Sequence, residues 1–468
     1  MDGTPDIIIL GSGSTAFAAA LRASTYGARI VMVEKSVLGG TCINWGCIPS
    51  KTLIHAALFN HEAGLGARIG LPERSDGVNF PTLAAHKDEV VRHLRTTRYL
   101  DVLQQIPNLE MVKGTARFVD NRTIAVEDRL FRSDRILIAV GGNPRIPDIP
   151  GLAGSAYLTS RSALLLKELP KSLVIIGGGV IAVELGQMFQ RLGVRVTILE
   201  HGPRLLPSVT AEVALALQGV LVTEGGHDVT DAAFGSVATV GDLTAVSADV
   251  HGRRHEFTCE RLLVAVGTSP ATERIGLENT GVTLDRHGFV VVDNLMRTSV
   301  PGIWGAGDAI GGMMIATAGA REGIVAVDDM FNPGCGCAME HLTVPMAIFT
   351  DPEIGIVGHT VESARQAGID TVANTLPVSA IPKAHVTGHT AGVITMVADR
   401  ITGQLVGVHL VCHRGAELIN EAALAIRLRA TIADLAGTLH AYPSMGEGLR
   451  LCAQGFSRDI NKLSCCAE

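Results

Sequence analysis

One pattern occurs twice in this chain and constrains its fold more than any other feature: an apolar strand, a glycine-rich turn, a helix, a second strand and a terminal acid. The first copy begins with the apolar segment from Asp6 to Leu10 and ends at Glu34. In such a βαβ unit, glycines let the backbone approach a pyrophosphate at the helix N-terminus, and an acid about 20 residues on accepts hydrogen bonds from a ribose. The first predicted dinucleotide site consists of Gly11, Gly13, Ser14, Thr15, Ala16 and Glu34.

The second copy begins with the apolar segment from Leu173 to Ile176, and its acid is Glu200. A later apolar segment, Leu262 to Gly267, closes this unit with another glycine. The second predicted site consists of Gly177, Gly179, Ile181, Glu184, Glu200 and Gly267. Two such sites in one chain imply that electrons pass from one nucleotide to the other. The alternative is that the second copy is a decayed duplicate.

Two cysteines, Cys42 and Cys47, follow the first unit directly. On a regular α-helix a five-residue step rises about 7.5 Å and turns about 140° away from the starting face, so the two thiols do not share one regular helix. Gly46 permits a bend between them, and Pro49 suits the first turn of a helix. Cys47 then lies at the positive end of a helix dipole, where a thiolate is favoured, and Lys51 adds a cation one turn on. The stretch predicts a redox pair; the alternative is a structural disulfide or two unrelated core cysteines.

Composition supports an enzyme with several α/β domains. The chain has 468 residues, 53 glycines and 47% hydrophobic but only 4% aromatic residues. Its formal charge of −7 gives no reason to expect a nucleic-acid or membrane-surface partner. Every long apolar run is interrupted by charged residues or glycines, so the sequence predicts no membrane span, and a cytoplasmic protein is expected. The 9 cysteines are clustered rather than spaced as a disulfide framework, which favours redox or metal chemistry.

We expect two Rossmann-like dinucleotide-binding domains and a C-terminal α+β domain. A later strand ends in a glycine turn that contains Gly307 and Asp308. Asp308 can accept hydrogen bonds from the hydroxyl groups of a bound nucleotide, so we expect this turn to contribute to a nucleotide site. A helix is expected directly after the turn. In the last part, strands are expected near 343–350, 391–398 and 404–411. The predicted domains are 1–150, 151–270, 271–340, which returns to the first domain, and 341–468.

At this point the sequence resembles the pyridine nucleotide-disulphide oxidoreductase family, through Gly39-Gly40-Thr41-Cys42, Cys47 and Lys51 together with both glycine fingerprints. The resemblance implies FAD on the first fingerprint and NAD(P)H on the second, and a homodimer built by the C-terminal domain. It also implies that Cys47 faces the flavin, that Cys42 is the interchange thiol, and that Lys51 lies near the flavin ring, paired with Glu184. The additional FAD contacts implied are Gly40, Thr41, Lys51, Gly307 and Asp308.

The C-terminal residues distinguish members of the family. Relatives that handle dithiols carry a histidine as acid/base where this chain has Tyr442, and an ordinary tyrosine is a poor base at neutral pH. His440 is expected to be a surface or packing residue. Near the end, Cys465 and Cys466 are adjacent, with Cα atoms about 3.8 Å apart, closer than most disulfides allow, but two such thiolates bind a soft cation well.

This tail, like Tyr442, resembles that of the mercuric reductases. The resemblance implies flavin-dependent reduction of Hg(II), supplied as a thiolate complex, to Hg(0). The metal is passed from Cys465 and Cys466 of one subunit to Cys42 and Cys47 of the other, in a pocket lined by Tyr442. The alternatives are a thioredoxin-reductase-like or lipoamide-dehydrogenase-like disulfide reductase and, from a different class, a protein that only sequesters soft metals.

Two further features leave alternatives open. Glu200 favours the 2′-hydroxyl of NADH over the 2′-phosphate of NADPH, whereas Arg204 and His201 offset part of that preference. Cys335 and Cys337 are expected to lie in a surface loop. The two thiols either form an auxiliary metal site or, as we favour, belong to an ordinary solvent-exposed loop.

Overall fold

The first sheet carries the N-terminal glycine fingerprint at its centre. The computed structural model describes residues 4–72, 77–336 and 338–462. The sheet has five parallel strands, in the spatial order Ile303–Gly305, Ile136–Ile138, Ile7–Leu10, Ile30–Glu34 and Leu109–Lys113. These strands are short and almost wholly apolar because both faces of a parallel sheet are covered.

Helices Ser14–Thr25 and Ala316–Phe331 cover one face of this sheet, where their alanines and valines pack against Ile7, Ile9 and Ile30. A small antiparallel sheet covers the other face through side chains that include Phe118 and Ile124. Its strands are Ala116–Asp120, Thr123–Val126 and Arg129–Arg132.

The second sheet repeats this design. Its parallel strands occur in the order His227–Val229, Arg195–Leu199, Ser172–Ile176, Arg261–Val264 and Leu158–Thr159. Helices Val180–Arg191 and Ala211–Thr223 pack on one face. On the other face lies an antiparallel sheet formed by Ala232–Val240, Leu243–Val250 and Arg253–Cys259. Two short antiparallel strands, Gly142–Pro144 and Thr268–Pro270, join the two nucleotide-binding units.

The C-terminal part is an antiparallel sheet with helices on one side. Its strands occur in the order Met346–Ile348, Glu353–Gly358, Leu405–Cys412, Val393–Asp399 and Thr371–Pro377. Its last three helices are Gly415–Arg427, Ile432–Gly437 and Glu447–Gln454. Leu449 and Cys452 of the last helix are fully buried in this core.

The remaining helices are mostly short and connect these layers. The α-helices are Gly40–Trp45, Cys47–Leu65, Phe80–Arg95, Asp101–Leu103, Ser160–Ala163, Val361–Gln366 and Pro382–Thr387. A π-helical segment occupies Thr96–Leu100. The 3₁₀-helices are Gly66–Ile69, Leu152–Gly154, Leu277–Asn279, Gly307–Ile310, His341–Thr343, Val378–Ala380 and Ile460–Lys462.

The predicted fold class, two Rossmann-like units followed by an α+β domain, is confirmed, and the domain boundaries stay a prediction. Two details differ from expectation. Asp308 lies within the short helix Gly307–Ile310, and the long helix that follows starts only at Ala316. The C-terminal sheet also has two strands beyond the three expected, Glu353–Gly358 and Thr371–Pro377. Across the described ranges, no helix combines the length and apolarity that a membrane span requires.

Candidate active site

The first glycine fingerprint forms one wall of a deep cleft. Gly11 has φ +112°, and a Cβ atom there would lie 2.2 Å from the carbonyl oxygen of Ala139. A Cβ atom on Gly40 would lie 2.6 Å from Cα of Gly13, so the redox stretch crosses directly over the fingerprint. Only glycine allows these backbone segments to pack so closely, and the turn that results lines the cleft, so these residues fit a bound dinucleotide.

The cleft has a volume of about 320 Å³ and joins the nucleotide residues to both cysteines. Most of the predicted first-site residues line it. Those that do are Gly11, Gly13, Ser14, Thr15, Glu34, Gly40, Thr41, Cys42, Cys47 and Asp308. Ala16 is instead fully buried in the core behind the fingerprint, and Gly307 lies against Thr15, where a Cβ atom would approach its hydroxyl oxygen to 2.4 Å.

Glu34 is held in place at the end of its strand. Its carboxylate accepts hydrogen bonds from Ser12 Oγ at 2.6 Å and from the backbone N–H of Ser36 at 2.7 Å. Each oxygen has one of these donors and retains a further lone pair for a ribose hydroxyl. This is the arrangement that the acid at the end of the second strand was expected to have.

The two cysteines lie on consecutive helices. Cys42 belongs to Gly40–Trp45, and Cys47 is the first residue of Cys47–Leu65, with Gly46 as the bend between them. The Cys42 thiol donates toward Cys47, and with the Lys51 cation this lowers the pKa of Cys47 to about 7, although burial opposes the shift. The same hydrogen bond, together with burial, raises the pKa of Cys42. In the reduced pair, Cys47 is therefore the thiolate and Cys42 holds the shared proton.

Lys51 connects three parts of the molecule beside this pair. Its Nζ lies 2.7 Å from Oε2 of Glu184, which is on the helix of the second fingerprint. Nζ also lies 4.7 Å from the centre of the Phe349 ring, and the backbone N–H of Phe349 donates to Oε1 of Glu184 at 2.8 Å. The structure thus brings together Lys51 and Glu184, and adds a C-terminal-domain residue that the sequence did not indicate.

A buried carboxyl group closes the far side of the cleft. Burial and the nearby charge of Glu322 raise the pKa of Asp308, and Arg161 opposes that shift. Arg161 itself donates to the carbonyl oxygen of Gly142 at 2.7 Å, and its guanidinium carbon lies 5.4 Å from the centre of the Trp45 ring. A buried carboxyl on the cleft wall suits hydrogen bonds from ligand hydroxyls.

Tyr99 is a second residue that sequence reasoning missed. It lies in the π-helical segment, with its ring centre 4.7 Å from that of Phe17. Burial and the charges of Cys42 and Cys47 raise its pKa to about 12, which keeps the hydroxyl protonated beside the thiols. No pattern in the sequence links a tyrosine on a surface helix to cysteines more than 50 positions away.

The second fingerprint lines a separate cleft. Gly177 has φ +107°, and a Cβ atom there would lie 2.5 Å from the carbonyl oxygen of Ala265, so this backbone also makes a close approach. The predicted residues that line the cleft are Gly177, Gly179, Ile181, Glu200 and Gly267. Glu184 lies further along the helix Val180–Arg191, where it pairs with Lys51 instead.

Glu200 is fixed by backbone donors at the mouth of this second cleft. It accepts hydrogen bonds from the N–H groups of Gly178 and Gly202, the latter at 2.7 Å. Arg204, which was expected to offset its charge, instead donates to the carbonyl oxygens of Leu206 at 2.6 Å and Val209 at 2.9 Å. His201 does line the cleft. The geometry leaves an anionic site where the adenosine ribose would bind.

The remaining predicted residues lie away from the first cleft. Tyr442 is 52% exposed on the C-terminal domain and is not among the described residues that line the cleft. His440 is a packing residue, as expected, because its side chain is only 9% exposed and its Nε2 lies 2.8 Å from Oε1 of Glu421. Cys335 is partly buried. Cys337, Cys465 and Cys466 lie outside the described residues.

Comparisons with known proteins agree with this geometry. A family model described as pyridine nucleotide-disulphide oxidoreductase matches residues 5–323, and the dimerisation-domain model of the same family matches residues 344–453. A mercuric reductase of Lysinibacillus sphaericus is 37% identical over 99% of this chain and 84% of its own length. A mercuric reductase of Staphylococcus aureus is 37% identical over 100% of this chain and 85% of its own.

A solved structure is also closely similar. The Cu(II) complex of RclA, an HOCl-induced flavoprotein disulfide reductase from Escherichia coli, has a TM-score of 0.85 and 30% sequence identity, over 97% of this chain and 99% of its own. The predicted cofactors, FAD and NAD(P)H, are those of the matched family, and the prediction is confirmed at that level. The matched dimerisation domain likewise supports the predicted homodimer. With both family models, near-full-length relatives and two glycine-lined clefts in agreement, this chain belongs to the pyridine nucleotide-disulphide oxidoreductases.

Proposed function

We propose that this chain reduces Hg(II) to Hg(0) with electrons from NAD(P)H, and that Hg(II) arrives as a complex with small thiols. The observation that carries the proposal is the thiol pair at the wall of the first cleft, where Cys47 is favoured as a thiolate and Cys42 lies beside it. Thiolates are the preferred protein ligands of soft metal ions. The mercuric reductases that are 37% identical to this chain support the same substrate.

The reaction balances without a further reductant. NAD(P)H, a proton and the bis-thiolate complex of Hg(II) give NAD(P)⁺, Hg(0) and two free thiols. Hg(II) gains two electrons, both of its bonds to sulfur break, and the proton together with the hydrogen of NAD(P)H protonates the released thiolates. FAD, when bound, supplies the two-electron step between the nicotinamide and the thiol pair.

The residues of this chain bind Hg(II) and stabilise the negative charge of the thiolates. Cys42 and Cys47 both bind Hg(II): Cys47 is the thiol that is favoured as a thiolate, and Cys42 loses its proton as its own bond to the metal forms. The Lys51 cation stabilises the negative charge that returns to the sulfurs when Hg(0) leaves, and Glu184 fixes its position. Tyr99 lies close enough to both thiols for their charges to raise the pKa of its hydroxyl, which therefore stays protonated.

Delivery of the metal is proposed to involve both subunits. Cys465 and Cys466 of the partner subunit capture Hg(II) and pass it by thiolate exchange to Cys42 and Cys47, so that the ion is never released uncoordinated. Tyr442 contributes to the pocket where this exchange takes place; its large exposed fraction in a single chain is compatible with a position at a subunit interface. The cytoplasmic location expected from the sequence remains a prediction.

The proposal is tested by anaerobic oxidation of NADH and NADPH by the holoenzyme, with Hg(II) and excess small thiol as the acceptor. We expect oxidation that depends on Hg(II) and is abolished in Cys42→Ser and Cys47→Ser variants. Cys335→Ser is the matched control, because it removes a partly buried cysteine outside the cleft, and it should retain full activity. Equal activity in Cys47→Ser and Cys335→Ser would overturn the proposal.

A disulfide reductase is the second candidate, because RclA carries that description and shares the fold over nearly the whole chain. The residue at position 442 argues against it, since tyrosine replaces the histidine that dithiol exchange uses as acid/base. The same assay with a disulfide instead of Hg(II) separates the two: turnover of lipoamide or a thioredoxin disulfide without turnover of Hg(II) would support the second candidate.

A further inference from the structure

A group of metal-ligating side chains lies outside both clefts, where the C-terminal domain meets the end of the helix Cys47–Leu65. It consists of Asp351, His389 and His413, and one ligand atom from each lies within 4.8 Å of the other two. Asp351 follows the strand Met346–Ile348, His389 follows the helix Pro382–Thr387, and His413 directly follows the strand Leu405–Cys412. Three separate segments therefore converge on one point.

A second carboxylate, from a different part of the molecule, lies beside the cluster. Oε1 of Glu62, on the helix that begins at Cys47, lies 3.8 Å from Nε2 of His389. Zinc-type ions bind nitrogen and oxygen at about 2.0–2.2 Å, which separates tetrahedral ligand atoms by about 3.3 Å and opposite ones by about 4.2 Å. The observed spread is slightly wider than this range, and small side-chain rotations would bring the atoms into it.

The two histidine rings are stacked, and one of their nitrogens is buried without a hydrogen-bond partner in the described part of the chain. Their rings stack with centres 4.1 Å apart and an interplanar angle of 16°. Nδ1 of His389 is shielded from solvent, and within the described part of the chain it has no hydrogen-bond partner. A buried imidazole nitrogen without a partner costs free energy, which a coordinated ion would remove.

The surrounding charges permit a cation. The carboxylates of Asp351, Glu62 and Glu224 lie around the cluster, and Arg191 is the main opposing charge, since its guanidinium lies 2.9 Å from Oδ2 of Asp351. However, Arg191 is already paired with Glu224, at 2.5 Å and 3.0 Å from its two carboxylate oxygens. The net charge facing the cluster is therefore negative.

We propose that Asp351, His389 and His413 form a binding site for a borderline divalent transition-metal ion such as Zn(II), with Nδ1 of His389 as the ligand atom and Glu62 holding the other ring nitrogen, Nε2. Imidazole and carboxylate ligands suit Zn(II), Cu(II) or Ni(II), whereas the thiol pair suits softer ions, so the two sites select different metals. A bound ion ties the C-terminal domain to the far end of the helix that carries Cys47. The site does not depend on the proposed Hg(II) chemistry.

The test is titration of the intact holoenzyme with Zn(II) after its accessible thiols have been alkylated, which removes competing thiolate ligands. We expect one Zn(II) per chain by calorimetry, and Co(II) in its place should show no thiolate charge-transfer absorption. His389→Phe preserves the ring stack and removes both nitrogens; it should weaken Zn(II) binding by more than about tenfold, the least that even outer partners of a metal site contribute. His413→Phe should have the same effect.

His385→Ala is the matched control, because His385 is an exposed histidine on a neighbouring helix whose Nε2 lies 2.7 Å from the carbonyl oxygen of Ser379. Its Zn(II) affinity should equal that of the unmodified sequence. Retained flavin and an unchanged circular-dichroism spectrum show that each variant is folded. The proposal is overturned if the alkylated holoenzyme does not bind Zn(II) more tightly than about 100 μM, or if the folded His389→Phe and His413→Phe variants bind it as tightly as His385→Ala.

Discussion

Lys51 Nζ and Glu184 Oε2 lie 2.7 Å apart, and this ion pair joins the helix of the redox cysteine to the helix of the second fingerprint. Glu184 is only 6% exposed, so its charge depends on this partner and on the backbone N–H of Phe349. Both nucleotide-binding units and the C-terminal domain therefore meet at the cation that lowers the pKa of Cys47.

The first prediction concerns the ionisation of the reduced thiol pair. Because the pKa of Cys47 is lowered to about 7, the rate of alkylation of the reduced enzyme by iodoacetamide should rise to half its maximum near pH 7. Below that pH, Cys47 gains a proton and the rate falls. Cys42→Ala removes the strongest donor to Cys47 and supplies no other, so its midpoint should move to higher pH. A midpoint that stays near pH 7 in Cys42→Ala would contradict this account of the pair.

The second prediction concerns Lys51. Its positive charge lowers the pKa of Cys47, so Lys51→Met should raise that pKa and move the alkylation midpoint to higher pH. Lys35→Met is the control, because Lys35 also lines the first cleft but is exposed at its nucleotide end. The control should leave the midpoint unchanged, and an equal shift in the two variants would show that the effect is not specific to the ion pair.

The third prediction concerns the first glycine turn. In Gly11→Ala, the new methyl group would lie 2.2 Å from the carbonyl oxygen of Ala139, so the backbone must shift where the pyrophosphate is expected. We expect most of the bound FAD to be lost on purification, measured as the flavin-to-protein absorbance ratio. Gly27→Ala also has a positive φ, +72°, but no atom lies within 4 Å of the new methyl group. It should incur only the left-handed strain of about 1–2 kcal/mol and keep its FAD.

The fourth prediction concerns the nicotinamide cofactor. Because Glu200 lines the second cleft and Arg204 is bound to backbone carbonyls, the enzyme should have a higher kcat/KM for NADH than for NADPH. Glu200→Gln removes the charge that repels a 2′-phosphate and keeps one oxygen, which can accept one of the two backbone N–H bonds made by Glu200. It should shift the ratio of the two kcat/KM values toward NADPH by about tenfold, equivalent to about 1.4 kcal/mol. An unchanged ratio in this variant would contradict the role given to Glu200.

Local patterns were enough to predict the parts of the site that are close in sequence. The glycine turns at Gly11 and Gly177 could be located because only glycine permits so close a backbone approach there. The helix that starts at Cys47 followed from Gly46 and Pro49, whose backbone preferences are strong. These predictions needed no knowledge of distant contacts.

The parts that were missed depend on contacts between segments far apart in the chain. Arg161 and Phe349 reach the redox stretch only because the second nucleotide unit and the C-terminal domain pack against the first. The cluster of Asp351, His389 and His413 has no spacing typical of a metal motif, because three loops of one sheet bring it together. The two C-terminal strands that were missed, Glu353–Gly358 and Thr371–Pro377, contain glycine, asparagine or proline, which are typical of turns as well as of loops.

The most direct test of the central claim is the amount of volatile mercury released per NAD(P)H consumed, measured anaerobically with the holoenzyme, Hg(II) and excess small thiol. The account predicts one Hg(0) released for each NAD(P)H oxidised, over many turnovers. If Hg(II) binds but no volatile mercury appears, the chain is a metal-binding thiol protein, and if NAD(P)H is oxidised without release of Hg(0), the electrons go to another acceptor. Either result would contradict the proposed reduction of Hg(II).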